Sequence, residues 1–527
     1  MAGFIDPLVI DGYLVRSAER SPERLAVCDR TRRLTYAEFD EQLTRFARAL
    51  SGLGVRYGDR VAMLMDNSIE NAVCLFGAPR LGAVAAPING RLTAAEVAYI
   101  VGDLEPVVVV ADASHLSQLE QVDAAAGVKA VVVVGGEPDV DVARLPVPAL
   151  AYEDFLGSAS TERLTVDIDA RDPAFILYTS GTTGRPKGAV LGHAGYVTGT
   201  LTTLHTMRMF DPGEVRHVAV PMFHSGGLNS ILQQLVLGGP SLITEPGGLA
   251  AEALLDLWEE HGVATAFLTP TQWAQICDVP DVRSRNLKLS RLIWGSSKPP
   301  VSFVQRLQET FPGKPVFANF GMTETSGNTC SLLPEYALSK SQTVGRPVPH
   351  MQVRVVDSEM RDLPPGEPGE IVYQGPSVLR EYWRNPKATA EAFTGGWFHS
   401  GDIGVFDEDG FLSVVDRLKD MIISAGENIY VSEVEAALAS HPKVAQVVVV
   451  GVPHPKWIES PRAVVVPSDP ADPPTLEELQ AHVRPLLASY KKPTSLSVVS
   501  EVPRNTMGKI LRTKVKHAQL LQDGVRS

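Results

Sequence analysis

Three features of the sequence predict an α/β fold. Short apolar runs alternate with stretches of helical periodicity, several of those runs end in polar or glycine-rich clusters, and the texture changes after Gln342 to glycine, proline and alternating valines. The first two describe parallel strands joined by crossover helices. The third describes an antiparallel, barrel-like β unit, and about a hundred residues from 420 to 527 then read as a compact C-terminal α+β unit.

Taken in order, Leu34, Phe39, Leu43, Phe46, Leu50 and Leu53 recur at three- to four-residue spacing and predict a helix that Gly54 stops. Arg60–Met65 is a short buried strand, Ile69–Leu81 a helix closed by Gly82, and Pro106–Ala111 and Lys129–Val134 are further strands. Arg171–Leu177 is the strand that delivers a glycine-rich loop, after which helical periodicity resumes from Val190. Strands recur at Val215–Pro221, Ala264–Pro270, Leu287–Trp294 and Pro315–Phe320, followed by PMFHSGG, TPTQ, GSSKPP and GMTETSG. Ligands of open α/β sheets bind beyond the carboxyl ends of strands, so these clusters are expected to meet in one crevice with the glycine loop. The barrel-like unit ends with a strand at Gly410–Asp416, and the last unit carries strands at Val444–Val452 and Ala463–Pro467, a helix at Leu476–Ala488 and a basic tail at Lys509–Lys516.

Composition narrows the function. A chain of 527 residues exceeds one core, so two to four packed units are expected. The 44% apolar and 21% charged residues are those of a soluble globular protein, and the net charge of −13 argues against a nucleic-acid partner. Cys28, Cys74, Cys277 and Cys330 lie far apart with no CxxC pair, which reads as reduced thiols rather than a disulfide or zinc framework. The N-terminus lacks a basic lead, and the longest apolar run, Val444–Pro453, is about half of the ~20 residues a bilayer requires. A cytoplasmic protein without membrane insertion is expected.

The loop Tyr178–Ala189, YTSGTTGRPKGA, concentrates chemistry. Its glycines let backbone N–H groups approach a ligand, Thr179, Ser180, Thr182 and Thr183 add hydroxyls, and Lys187 adds charge, a composition suited to phosphate. It is not a Walker loop, since Lys187 precedes Gly188 instead of following the last glycine. A flexible linker is the competing reading, opposed by the strand before the loop and the lysine within it. In Phe320-Gly-Met-Thr-Glu324, Glu324 is a candidate for Mg²⁺, Thr323 for a phosphate oxygen and Phe320 for stacking on a base; taken alone, the segment reads equally as a turn with an exposed glutamate. Asp402, after Trp397-Phe-His-Ser-Gly, could accept from a ribose diol or be a turn aspartate. Asp416-Arg-Leu-Lys-Asp420 is a charge run whose plain reading is a solvated face. His224 is a candidate pocket wall or a satisfied buried histidine, and the lysine of Arg504-Asn-Thr-Met-Gly-Lys509 reads by itself as a surface residue.

In this order, YTSGTTGRPKGA, NFGMTET, WFHSGD, DRLKDMIISAGENIYVSEVE and PRNTMGKILR resemble the motifs of the AMP-forming adenylating family, which includes acyl-CoA synthetases, stand-alone adenylation domains and luciferases. The motifs span Tyr178 to Arg512, and the look is that of bacterial acyl-CoA synthetases. The resemblance implies a large N-terminal domain, 1–418, of two α/β subdomains plus the barrel-like subdomain, and a small mobile C-terminal domain, 419–527, hinged near Lys419. It also implies a two-step reaction using ATP, Mg²⁺ and CoA: a carboxylic acid becomes an acyl-adenylate with release of pyrophosphate, and a thiol then displaces AMP. By similarity Lys509 bridges carboxylate and α-phosphate. Thr179, Ser180, Gly181, Thr182, Thr183, Gly184 and Lys187 hold the outer phosphates, and Glu324 with Thr179 supports the metal. Ser297 and the run Asn319, Phe320, Gly321, Met322 and Thr323 border the nucleotide, Asp402 and Arg417 hold the ribose, and Gly426 flanks the pantetheine tunnel. His224 completes the catalytic set. The resemblance leaves room for an acyl carrier protein as acceptor and for a homodimer.

Phe320 replaces the tyrosine usual in that family and loses only the hydroxyl, and three further features bear on the acid and the acceptor. Amino-acid-activating relatives carry an aspartate near His224, whereas this chain reads Phe223-His224-Ser225, so the acid is expected to lack an α-amine. Gly295-Ser-Ser-Lys298 replaces a small glycine/alanine/proline turn, leaving the role of Lys298 open. Ile458 replaces the glycine before Glu459 and bears on thiol transfer, so delivery to a carrier protein or partner enzyme stands beside transfer to CoA.

Overall fold

The computed structural model describes residues 7–123, 126–136, 144–179, 185–245, 249–296, 299, 301–424, 427–504 and 510–522, with backbone alone at 301 and 520–522. The chain divides into two compact units, Met1–Val353 with Tyr373–Phe398, and Arg354–Val372 with His399–Ser527.

Two mostly parallel sheets build the first unit. One has eight strands, in which Pro173–Thr179, Val84–Pro87, Arg60–Leu64, Val108–Asp112, Ala130–Val134 and Ala149–Ala151 lie side by side in that order and run parallel. These strands read as near-continuous apolar runs because helices cover both faces, as parallel sheets require. The other sheet has nine strands, and its parallel centre is Val316–Met322, Leu292–Gly295, Val263–Leu268, Val215–Val218 and Ser241–Ile243. Beyond Ser241–Ile243 it is extended by Leu25–Cys28 from the N-terminus, a long-range parallel pairing that local periodicity does not reveal.

The helices expected near the N-terminus form at Tyr36–Gly52 and Ile69–Arg80. The first opens with a capping box, Thr35 and Glu38 satisfying each other's backbone N–H groups. A third helix, Ile10–Arg20, is clamped to them through Arg80, whose buried guanidinium donates to Asp11 at 2.7 Å, Asp40 at 2.6 Å and Thr44 at 2.8 Å. Two carboxylates and a hydroxyl around one guanidinium supply what its desolvation requires.

The second unit carries Trp397–Phe406 from His399 onward against Leu412–Arg417 in antiparallel register, Asp402 opposite Arg417. It also carries a five-stranded sheet centred on the hairpin Val444–His454 and Ile458–Pro467, with Val431–Ala439 and Leu476–Val483 packed over one face through Val434, Leu438, Leu479 and Val483.

Two sequence expectations need correction. The segment after the glycine-rich loop does not resume as a helix at Val190. Lys187–Gly192 is a strand antiparallel to Pro173–Thr179, and the helix begins only at His193. The loop thus joins two antiparallel strands, with the apolar Ala189–Leu191 lying between Pro173–Thr179 and Glu381–Tyr382 before the chain turns. The helix at Leu476 ends at Val483 rather than Ala488, since Pro485 has no N–H with which to continue the ladder.

Candidate functional site

In the first unit the two sheets are joined at the carboxyl ends of their strands, where the polar clusters collect. Asn67, just past Arg60–Leu64 of the eight-stranded sheet, donates to the Val220 carbonyl at 2.9 Å and accepts from the Met222 N–H at 2.7 Å. It thereby fixes the turn after Val215–Val218 of the other sheet. This buried amide holds two elements of unrelated sequence position, and nothing in local periodicity flags it.

The second link lies at the glycine-rich loop. Thr179 and Lys187 are paired at the base of the hairpin. Thr179 Oγ1 donates to Glu324 Oε1 at 3.2 Å, and the hydroxyl of Tyr382 donates to the same oxygen at 3.2 Å. Glu324 sits in the single-turn 3₁₀ helix Thr323–Thr325 after Val316–Met322, 8% exposed, with its own carbonyl receiving the Leu379 N–H at 2.7 Å. Tyr382 is held by the short strand Glu381–Tyr382, which pairs with Lys187–Gly192, so Lys187 Nζ lies 5.3 Å from the centre of its ring. Burial, reinforced by Glu324, pushes the Tyr382 phenol far above its ordinary pKa and keeps it a donor. Tyr382 is absent from the residues singled out in the sequence; the aromatic pair in Glu381-Tyr-Trp383 beside Arg380 and Arg384 was the available signal.

The strand that leads to Glu324 admits no substitution at Gly321, where a Cβ would stand 1.6 Å from the Gly327 carbonyl oxygen. Asn319 lies opposite Ser331 and accepts from its hydroxyl at 3.0 Å, while Phe320 is half-buried and Gly321 exposed. Met322 ends the strand and Thr323 begins the turn. On the neighbouring strand Gly295 pairs with Asn319, and Ser296 adopts φ +74.

His224 caps the helix Ser225–Leu237, with its carbonyl receiving the Gly227 and Leu228 N–H groups. Gly227 packs so closely that a Cβ would meet the Pro221 oxygen at 2.1 Å. The imidazole lies 4.5 Å from the Phe223 ring, and its buried Nε2 has no partner among the described residues. Burial, with Arg91 adding to it, lowers its pKa to about 4, so the ring is neutral at pH 7.

In the second unit Arg417 Nε meets Asp402 Oδ1 at 2.6 Å, and Asp402 is 4% exposed. Its N–H donates to Ser400 Oγ at 3.0 Å, and Ser400 in turn donates to the Ile371 carbonyl at 2.6 Å. Lys419 is exposed in the turn that follows. Asp420, Arg512 and Glu435 form an ion-pair chain that ties this turn to the C-terminal sheet, where Arg512 also donates to the Val449 carbonyl at 2.6 Å. The charge run is therefore partly internal wiring. Ser180, Gly181, Thr182, Thr183, Gly184, Ser297, Lys298, Gly426 and Lys509 lie outside the described residues. The chain on either side of Lys509 is anchored, with Arg504 bridged to Ile510 and Leu511 N–H donating to the Pro503 carbonyl at 2.8 Å.

One further cluster was not anticipated from sequence. Asp66, Asp112 and His115, at the carboxyl ends of two adjacent strands, bring a ligand atom each within 4.8 Å of one another. The His115–Asp66 contact of 3.2 Å and the Asp66 N–H to Asp112 bond of 2.7 Å already satisfy the group internally.

The comparisons with known proteins converge. The profile of the AMP-binding enzyme family matches residues 14–383, and that of the AMP-binding enzyme C-terminal domain matches 433–509. A feruloyl-CoA synthase of an Amycolatopsis species is 36% identical over 512 residues, covering 96% of this chain and 98% of that protein. The fatty acid–[acyl-carrier-protein] ligase ScoC of Streptomyces coeruleorubidus is 34% identical over 509 residues, covering 95% and 94%. Among solved structures, the o-succinylbenzoate CoA synthetase MenE of Bacillus subtilis, in complex with its acyl-adenylate intermediate, matches with a TM-score of 0.83 at 27% identity, covering 96% of this chain and 97% of that one.

Proposed function

Because the chain belongs to the AMP-binding enzyme family, we propose that it is an AMP-forming acid–CoA ligase whose glycine-rich hairpin, Glu324 and Tyr382 form the phosphate and metal end of its site. The enzyme activates a carboxylic acid with ATP to an acyl-adenylate and transfers the acyl group to CoA, the activity borne by its feruloyl and succinylbenzoate relatives' names. The observation that carries the residue assignment is the meeting of Thr179, Tyr382 and Glu324 on one carboxylate oxygen, with Lys187 beside them.

The residues fit Mg²⁺-nucleotide chemistry. A buried carboxylate and a threonine hydroxyl are oxygen donors of the kind Mg²⁺ takes, and such an ion would offset charge on the phosphates. Glu324 is oriented by two hydroxyls, so one oxygen is fixed while the other stays available. The hydroxyls and backbone of Ser180, Gly181, Thr182, Thr183 and Gly184, with Lys187, grip the leaving pyrophosphate. Asn319, Phe320, Gly321, Met322, Thr323 and Ser297 border the base. Asp402, buried and paired with Arg417, accepts from the ribose hydroxyls. The neutral ring of His224, whose Nε2 has no partner and which no carboxylate acts on among the described residues, favours an acid without an α-ammonium.

Attack of the carboxylate places negative charge at the α-phosphorus, and Lys509 supplies the cation there. Lys419 is the pivot between residues 1–418 and 419–527, carrying Lys509 in for adenylation and away for thiol transfer, with Gly426 beside the pantetheine arm. Lys509→Ala should cut pyrophosphate release by roughly 10²-fold or more while ATP still binds. An unchanged rate of pyrophosphate exchange in that variant removes Lys509 from this role. A second reading, transfer to a carrier-protein thiol, draws on the ScoC relative and on Ile458, which is 71% exposed at φ +73 and pairs with Ser424.

A further inference from the structure

Arg216 lies in the middle of the strand Val215–Val218 and is 3% exposed, yet among the described residues no carboxylate pairs with it. Its Nη1 meets Met209 Sδ at 3.3 Å, its Nη2 meets Ser230 Oγ at a long 3.4 Å, and its Nε has no partner. The carboxylate of Glu214 is engaged on both oxygens by the nearby Arg291, at 2.6 and 3.3 Å. A guanidinium stays charged under all ordinary conditions, and a buried charge without a counter-charge is costly.

The residues flanking Arg216 in the sheet are equally unusual. Ser241 and Thr265 sit directly beside it on the two neighbouring strands, on the same face, both fully buried. Among the described residues neither Ser241 Oγ nor Thr265 Oγ1 has a hydrogen-bond partner, and both can donate. The helix Ser225–Leu237 covers this face through Ser230. On the opposite face His217 is satisfied by Trp258 at 3.1 Å and Thr244 at 2.8 Å. Unmet donors are thus concentrated on one side of three adjacent strands, around one positive charge.

We propose that Arg216, Ser241 and Thr265 form a buried site for a monovalent, halide-sized anion between the nine-stranded sheet and the helix Ser225–Leu237. The ion would accept from the guanidinium and both hydroxyls and supply the absent counter-charge. The site lies beneath the helix that His224 caps, so the ion would stiffen the support of that residue without touching substrate.

The test uses the full-length enzyme. Crystals grown in bromide should give an anomalous peak within hydrogen-bonding reach, about 3.5 Å, of the Arg216 guanidinium. The midpoint of thermal unfolding should rise by roughly 2 °C when gluconate is replaced by chloride at constant ionic strength, and Arg216→Met should lose both the peak and the response. If Arg216→Met yields no folded protein, the Ser241→Ala, Thr265→Val pair carries the comparison, with a diminished halide response expected. An ordered water in place of bromide, or an equal response in wild type and variant, overturns the proposal.

Discussion

Tyr382→Phe isolates one hydrogen bond at the proposed phosphate end of the site. The substitution keeps the ring under Lys187 and removes only the hydroxyl that donates to Glu324 Oε1 at 3.2 Å. A hydrogen bond to a charged group contributes about 1.5–3 kcal/mol, and Glu324 retains its bond from Thr179, which puts the loss at the lower end. About 1.5 kcal/mol at the transition state is roughly a tenfold fall in adenylation. Pyrophosphate release at saturating ATP reads it, and the Mg²⁺ concentration for half-maximal rate should rise with it. Because Thr179 and Tyr382 act on one oxygen, Thr179→Val combined with Tyr382→Phe should cost more than the sum of the two singles, the carboxylate then having lost both orienting donors. A Tyr382→Phe rate within twofold of wild type, with unchanged Mg²⁺ dependence, refutes the assignment.

Acid sensitivity follows from the buried histidines. Burial lowers His217 to about 3 and His193 to about 4, so the unfolded chain binds their protons first, and stability complete above pH 6.5 is lost as pH falls toward those values. Urea unfolding at pH 7 and pH 5 should differ by about 2 kcal/mol for each such histidine, and His217→Gln should shallow the slope by about one proton; an unaltered slope contradicts this. Gly321→Ala forces a Cβ onto the Gly327 oxygen and should destabilise by about 2–4 kcal/mol, read as the urea midpoint, with a wild-type midpoint refuting the packing. Ile458→Gly should stabilise by about 1 kcal/mol, because a β-branched residue at φ +73 is strained and its exposed side chain recovers little by burial. Loss of thermal stability in that variant would show that the side chain has contacts worth more than the strain.

Much of the fold was readable where the signal is local. Helices at Tyr36–Gly52 and Ile69–Arg80 and the strands of the two parallel sheets follow from apolar spacing and from punctuation by Gly54 and Gly82. What was not readable depends on distant partners. The antiparallel strand Lys187–Gly192 looks helical in isolation and becomes a strand because Pro173–Thr179 and Glu381–Tyr382 flank it. The placement of Leu25–Cys28 beside Ser241–Ile243 has no local signature at all. Among the proposed site residues, Thr179, Lys187 and Glu324 stand out by their glycine-rich settings and Asp402 by the aromatic cluster before it, whereas Arg417 lies in a charge run that reads as a solvated face and is picked out only by the family resemblance. Tyr382, Asn67 and Arg216 act through contacts across more than fifty residues of sequence or through the absence of a partner, neither of which a single stretch of sequence discloses.

The central claim is the two-step reaction, and one experiment addresses it directly. The enzyme is given ATP, Mg²⁺ and a panel of aromatic, fatty and alicyclic carboxylic acids, pyrophosphate is followed, CoA is then added, and products are weighed by mass spectrometry. Pyrophosphate and an acyl-adenylate are expected with at least one acid lacking an α-amine, then AMP and the acyl-CoA thioester once CoA is present. Adenylate that persists without thioester contradicts the transfer to CoA, and the absence of pyrophosphate with every acid contradicts the adenylation itself.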